Sequence, residues 1–306
     1  MNHFFVNINQ VQGKRIRIMG EDAHHIRDVL RLHPGDEVSV AIAEEEQASP
    51  AAAETSPEEI PSIWQTAAKQ EKPGKPWERH LPGGNGTSAW GAAKGSTQIG
   101  ARDYRHAELR CGIVSFGEAD VWLEVRFVKP LDAELPVKIT LYQSLPKADK
   151  MDLIVQKAVE LGAWRIVPMA AKRCVMKWEE SKAERKRERL AQIAKSAAEQ
   201  AKRGLIPTVS APMSFQEALL DAMKLGKILF PYELAGGMGK TREIFSKLHN
   251  EKHIGLFIGP EGGFADEEVR SAMDAGANVI TLGKRILRTE TAGLYVLSVL
   301  GYLFEE

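Results

Sequence analysis

The chain has 306 residues, 43% of them apolar, with 41 Lys+Arg balanced by 41 Asp+Glu and two cysteines. That length suggests two domains with real cores, and the balanced charge excludes a simple polycation, so any nucleic-acid surface must come from local asymmetry. Cys111 and Cys174 are too few and too far apart for a disulfide framework or a metal site. No signal peptide opens the chain, and no apolar run approaches the roughly 18 residues of a membrane span, so neither metal nor membrane is expected and a reducing cytoplasm fits best.

Residues 1–43 alternate like strands over Phe4–Ile8 and Arg15–Met19, then form a short helix over Asp22–Leu32. Arg27 and Arg31 stand at i, i+4 on that helix, as a solvated basic pair or an RNA contact. His24 and His25 lack a partner Cys or His at ligand spacing. Pro34-Gly35-Asp36 turns the chain into a strand at Glu37–Ile42. From 44 to about 101 the only Leu, Ile, Val or Phe residues are Ile60, Ile63, Leu81 and Ile99. Such a stretch buries too little to offset its ordering entropy, so it reads as a mostly flexible insertion. Ala107–Phe116 and Val121–Val128 then alternate as two strands joined through Gly117–Asp120. Pro130–Pro136 reads as a linker.

The second half opens with a strand at Val137–Tyr142, a polar loop at Gln143–Asp149 and a helix over Met151–Leu161. Asp149 suits its N-cap and Gly162 lies just past its end. A strand at Arg165–Pro168 completes a β–loop–α–β order, which argues for a parallel α/β sheet. Residues 172–203 hold eleven Lys/Arg against five Glu, and Glu179–Lys202 is free of Gly and Pro. This helix is either a solvated face with i, i+4 pairs or a phosphate-tracking surface. After a strand at Lys227–Pro231, Gly236–Thr241 imitates a phosphate-binding loop. Leu234 stands where that pattern needs glycine, which argues against nucleotide hydrolysis.

Two apolar runs close the chain, Ile254–Ile258 and Val279–Leu282. Each is followed by a loop of special residues and then a helix. Ligands of parallel sheets bind at the carboxyl ends of strands, where both loops fall. In Gly259-Pro260-Glu261-Gly262-Gly263 the glycines allow close approach to the backbone, although such a cluster can also be a simple turn. Asp266, Glu267 and Glu268 suit the first turn of the following helix and Gly276 its end. The second loop, Gly283–Glu290, mixes Arg285, Arg288, Thr289 and Glu290 with Ile286 and Leu287, like a pocket wall.

Ile258-Gly-Pro-Glu-Gly-Gly-Phe264 and Leu282-Gly-Lys-Arg-Ile-Leu-Arg-Thr-Glu-Thr-Ala292 resemble the signature of the RsmE family. Its members are S-adenosylmethionine-dependent methyltransferases of the SPOUT superfamily that make N3-methyluridine in 16S ribosomal RNA. The resemblance extends to His3-Phe-Phe-Val6, Gly20–Ile26, Val29–Leu32, Asp149–Ile154 and Ala198-Glu-Gln200. It implies a PUA-like RNA-binding β-barrel domain over 1–130, interrupted by the insertion, and a SPOUT domain over 131–306 with a parallel sheet and a deep trefoil knot. S-adenosylmethionine would lie among Phe230, Glu233, Gly259, Pro260, Glu261, Gly262, Gly263, Leu282, Gly283, Ile286, Leu287, Thr289 and Ala292. Arg288 is the first expectation for catalysis, unless it pairs with Glu290 or a neighbouring acid to hold the knot, and Lys150 and Gln156 follow by position. Arg27, Arg31, Lys147, Arg173 and Arg203 would contact RNA. The partners implied are 16S rRNA in the small ribosomal subunit and a second copy of the chain, docked through Thr291–Leu303. Another SPOUT activity, on ribose 2′-OH or transfer RNA, and a non-catalytic RNA-binding assembly factor are the alternatives.

Overall fold

A computed structural model describes residues 1–43, 104, 107–147, 150–176, 178–233 and 235–305. The expected insertion and the Asp149 cap lie outside them.

The first half forms a six-stranded sheet. Its strands are β1 (His3–Val6), β2 (Val11–Gln12), β3 (Arg15–Met19), β4 (Glu37–Ile42), β5 (Ala107–Phe116) and β6 (Asp120–Pro130), in the order β1-β4-β5-β6-β3-β2. Period-two patterning explains the burial: Ile16 and Ile18 of β3 are buried, while Arg15, Arg17 and Met19 face out. The expected helix is cut short. Helix α1 spans Glu21–His24, a π-helical turn continues over His25–Val29, and Arg31 takes a left-handed φ of 51°. Arg27 and Arg31 therefore do not share a helical face. Arg27 instead donates to the carbonyls of Gly117 (2.7 Å), Glu118 (2.8 Å) and Asp120 (3.1 Å), tying down the β5–β6 turn. The guanidinium thus has a structural use in the resting protein.

The second half alternates strand and helix: β7 (Lys138–Ser144), α2 (Lys150–Glu160), β8 (Arg165–Ala170), α3 (Glu180–Ala201), β9 (Thr208–Val209), β10 (Met213–Ser214), α4 (Phe215–Met223), β11 (Lys227–Pro231), α5 (Met238–Ser246), β12 (His253–Ile258), α6 (Asp266–Asp274), β13 (Asn278–Ile280) and α7 (Thr289–Phe304). The sheet is parallel, ordered β10-β8-β7-β12-β11-β13, with β9 beside β8. Alternation along β7 and β12 sorts side chains to two buried faces. Leu141 and Leu256 sit in register and pack with Ile154, Leu190 and Leu297 beneath α2, α3 and α7. Their neighbours Tyr142 and Phe257 face the other way and stack at 4.5 Å, within an aromatic cluster with Phe215, Phe230 and Phe264.

β13 lies outside β11, yet α7, directly after it, packs on α2, β7 and β12. Residues 281–288 thus recross the sheet end, as the trefoil knot requires. Thr241 of α5 clasps this return, its hydroxyl accepting from Thr281 N (3.0 Å) and donating to Thr281 O (3.2 Å). The threonine of the phosphate-loop look-alike is thereby a structural residue.

At the opposite end of the sheet, His253 bonds the Thr140 hydroxyl through Nε2 (2.9 Å) and meets the Trp164 ring edge-on. Burial, then Arg165 and Lys138, push its pKa down to about 4. A free histidine takes its proton near pH 6.5, so the unfolded chain binds a proton that the fold refuses. Stability should therefore fall as pH drops from about 6.5 towards 4, by about 2 kcal/mol at pH 5. His253→Gln should remove that part of the slope in urea melts at pH 7.5 and 5. Equal pH dependence in the two proteins would refute the assignment.

Candidate active site

The carboxyl ends of β7, β12 and β13 bring three segments together. The turn after β12 closes through Gly263 N donating to Pro260 O (2.9 Å), and Gly263 takes a φ of +67° that side chains rarely adopt. A Cβ there would lie 3.6 Å from the Glu233 carboxylate, so the segment after β11 abuts this turn. Gly283 also has a positive φ, +105°, with open space where a Cβ would stand. Gly262 differs. Arg173 lies over it, donating through Nη1 to Gly262 O (3.2 Å), and its alkyl stem would touch a Cβ at 3.5 Å. The Arg173 segment is held to α6 by buried Glu268, which accepts from Lys172 N and Ala265 N, both at 2.8 Å.

Lys150, at the start of α2, bridges the two signature loops. Its ammonium lies 3.1 Å from Glu290 and 3.6 Å from Glu261. Glu261 also accepts from Lys147 N at 3.0 Å. Burial alone would raise both carboxyls. For Glu261 the backbone amides of Lys147 and its own residue, with Lys150, reverse this; for Glu290 its own amide and Lys150 do. Both are held below the usual carboxylate range and stay ionised at neutral pH.

The close partner of Glu290 is therefore Lys150, while Arg288 acts on it only through longer-range attraction. Arg288 is the exposed N-cap residue of α7 and forms no salt bridge with any described residue. A cation at a helix N-terminus opposes the helix dipole. The attraction to Glu290 offsets part of that cost, and the guanidinium itself stays exposed in the second loop.

Several expected site residues fall elsewhere. The Phe230 ring is fully buried and packs 4.3 Å from Phe264, so it belongs to the core and only its backbone can face a ligand. Gln156 is exposed on α2 and forms no hydrogen bond with a described residue. Arg203 is 3% exposed and donates to Val159 O, Ala163 O and Glu134, so it cannot meet a phosphate. Along α3, Lys182 and Arg187 pair with Glu179 and Glu184 one turn away, as on a solvated face, whereas Arg189 and Lys195 reach Asp152 of α2 and Asp22 of α1. Lys147 and Arg173 remain exposed beside the loops. Leu282 and Ala292 pack against the core, Leu287 is half-buried, and Ile286 is 93% exposed.

One residue was missed. The strand run extends past Tyr142, so Gln143 lies within β7, opposite Ile258, rather than in a polar loop. Its Nε2 donates to Thr289 Oγ1 (2.9 Å), and that hydroxyl donates to Gly259 O (2.7 Å). The signal was phase: Gln143 follows Ile139 and Leu141 at period two, on the face they bury.

A parallel sheet whose chain recrosses its own end, with glycine turns and an exposed arginine there, has the form of a SPOUT methyltransferase. A family model described as an RNA methyltransferase domain matches residues 133–301. Ribosomal RNA small subunit methyltransferase E of Bacillus subtilis is 41% identical over 201 residues, covering 65% of this chain and 78% of that protein. A crystal structure titled as an hypothetical protein superposes with a TM-score of 0.72 at 28% identity, over 99% of this chain and 98% of the other. The Neisseria gonorrhoeae ribosomal RNA small subunit methyltransferase E, bound to S-adenosyl methionine, shares the fold with a TM-score of 0.68 at 24% identity, over 99% and 98% of the two chains. The chain belongs to the RNA methyltransferase family, and within it to the RsmE family of ribosomal RNA small subunit methyltransferases. No described helix is long and apolar enough to cross a membrane, and no described group of three His, Cys, Asp or Glu could hold a metal.

Proposed function

We propose that the chain methylates N3 of a specific uridine in 16S rRNA, using S-adenosylmethionine, and acts on the assembled small subunit. The exposed guanidinium of Arg288, set between two glycine-bearing turns, carries this reading. The residues present fit the methyl donor. Gly283 leaves open space where a Cβ would stand, and Leu282, Leu287, Ala292 and the exposed Ile286 supply apolar surface. When bound, S-adenosylmethionine supplies a sulfonium-activated methyl group. The chain's own part is positioning and electrostatics. Arg288 orients the uracil carbonyls and stabilises the negative charge that grows as N3 gives its proton to solvent water. Lys150 keeps both loops in register through Glu261 and Glu290, and Lys147 and Arg173 meet phosphates. Residues 1–130 serve as the RNA-holding domain and 131–306 as the catalytic one. Tyr302, 85% exposed, and Tyr295 on α7 form the contact between two copies. The test is nucleoside mass spectrometry after incubation of purified protein with labelled cofactor and either naked small-subunit RNA or assembled subunits. N3-methyluridine, mainly in the assembled sample, is expected. A ribose-methylated nucleoside, or label in transfer RNA alone, would overturn it.

A further inference from the structure

The first glycine turn and the N-terminus of α7 lie on different passes of the chain, yet one buried hydrogen-bond relay joins them. Gln143 has no exposed surface, and Thr289 is 4% exposed. The Gln143 amide nitrogen donates to Ser144 O at 3.0 Å and to Thr289 Oγ1 at 2.9 Å. Turning the amide over would set its oxygen against the Ser144 carbonyl, so the direction is fixed by chemistry. The Thr289 hydroxyl, having accepted, must then give its one proton to Gly259 O at 2.7 Å. Gly259 begins the first turn, and Pro260 after it has no N–H to offer. The orientation of the Gly259–Pro260 peptide therefore rests on this relay. Gln143 Oε1 is buried without a partner, next to the space at Gly293, where a Cβ would lie 3.6 Å away. A buried amide with an orphaned oxygen costs stability, and such groups are kept where position matters.

We infer that Gln143 is a positioning residue for the methyl-donor site: through Thr289 it fixes the carbonyl of Gly259 and so couples the first turn to the N-terminus of α7. The inference rests on the proposed cofactor reading, and its test separates the two. Hydrogen exchange at 261–264 in the ligand-free protein reads the relay without any cofactor. Exchange there should quicken in Gln143→Leu and in Thr289→Val, while the strands β7 and β11 keep their protection. Titration calorimetry with S-adenosylmethionine should show about a tenfold weaker Kd for Thr289→Val and a smaller loss for Gln143→Leu. The double variant should lose no more than Thr289→Val alone, because both act through one carbonyl. Thr289→Ser, which keeps the hydroxyl, should recover most of the loss. Unchanged exchange in the two folded single variants, or strictly additive losses in the double, would overturn the inference. Should the unaltered protein fail to bind S-adenosylmethionine, the cofactor reading falls, and the exchange measurement still decides the relay.

Discussion

Arg288→Ala should lower kcat for methyl transfer by about a hundredfold to a thousandfold while S-adenosylmethionine affinity changes by less than about twofold. The guanidinium is exposed and forms no salt bridge with a described residue, only a longer-range attraction to Glu290, so its removal should leave the melting temperature nearly in place. Its proposed work begins when charge develops on the uracil, an interaction made in the transition state and lost from kcat rather than from cofactor binding. The pH profile adds a second reading. Without the arginine, the N3 proton must leave with less help, so the variant's rate should climb more steeply towards alkaline pH than that of the unaltered protein. Arg288→Lys keeps the charge but loses the planar fork, and should recover only part of the rate. A variant whose kcat is intact would remove Arg288 from the chemistry. One that melts early would make it a structural residue.

Much of this arrangement is legible in the sequence because parallel strands are short apolar runs and glycine turns punctuate them. Lys227–Pro231 forms β11 with the expected bounds, and β12 and β13 begin one residue before theirs. What escaped depended on partners far away in the chain. Arg288 and Glu290 stand two apart across the start of α7, where local spacing leaves their pairing open. That Lys150 would claim Glu290 from 140 positions away is not legible locally. Helix α4 was overlooked although Ser214 and Glu217 form a capping box at its start. The Arg27–Arg31 pair assumed a regular 3.6 period, and the π-helical turn broke it. Gln143 was hidden because a polar residue after an apolar run reads as the end of a strand, whereas the ladder with β12 carries it inside.

Arg203 illustrates the same limit and leads to the largest expected change in stability. In sequence it is one more cation at the end of a basic helix. In the fold Lys202 ends α3 in a left-handed turn, φ 55°, and swings Arg203 inward. Its Nη1 donates to Val159 O (3.1 Å) and Ala163 O (2.5 Å), at the end of α2, while Nε and Nη2 form a fork on Glu134. Glu134 in turn accepts from Gly204 N at 2.9 Å, so one guanidinium ties α2, the segment before β7 and the exit of α3. Its side chain is 4% exposed and that of Glu134 26%. Arg203→Ala would strand a carboxylate and two carbonyls away from full hydration, at a cost of about 3–5 kcal/mol. For a chain of this size that lowers the melting temperature by about 10 °C. Arg203→Lys offers three donors from a point rather than a planar fork and should restore only part of the loss. RNA binding distinguishes the discarded role. A phosphate contact would reduce the salt dependence of affinity by about one ion on substitution, with stability intact. The expected result is the reverse: an unchanged salt slope below the melting transition, in a protein that unfolds far more easily.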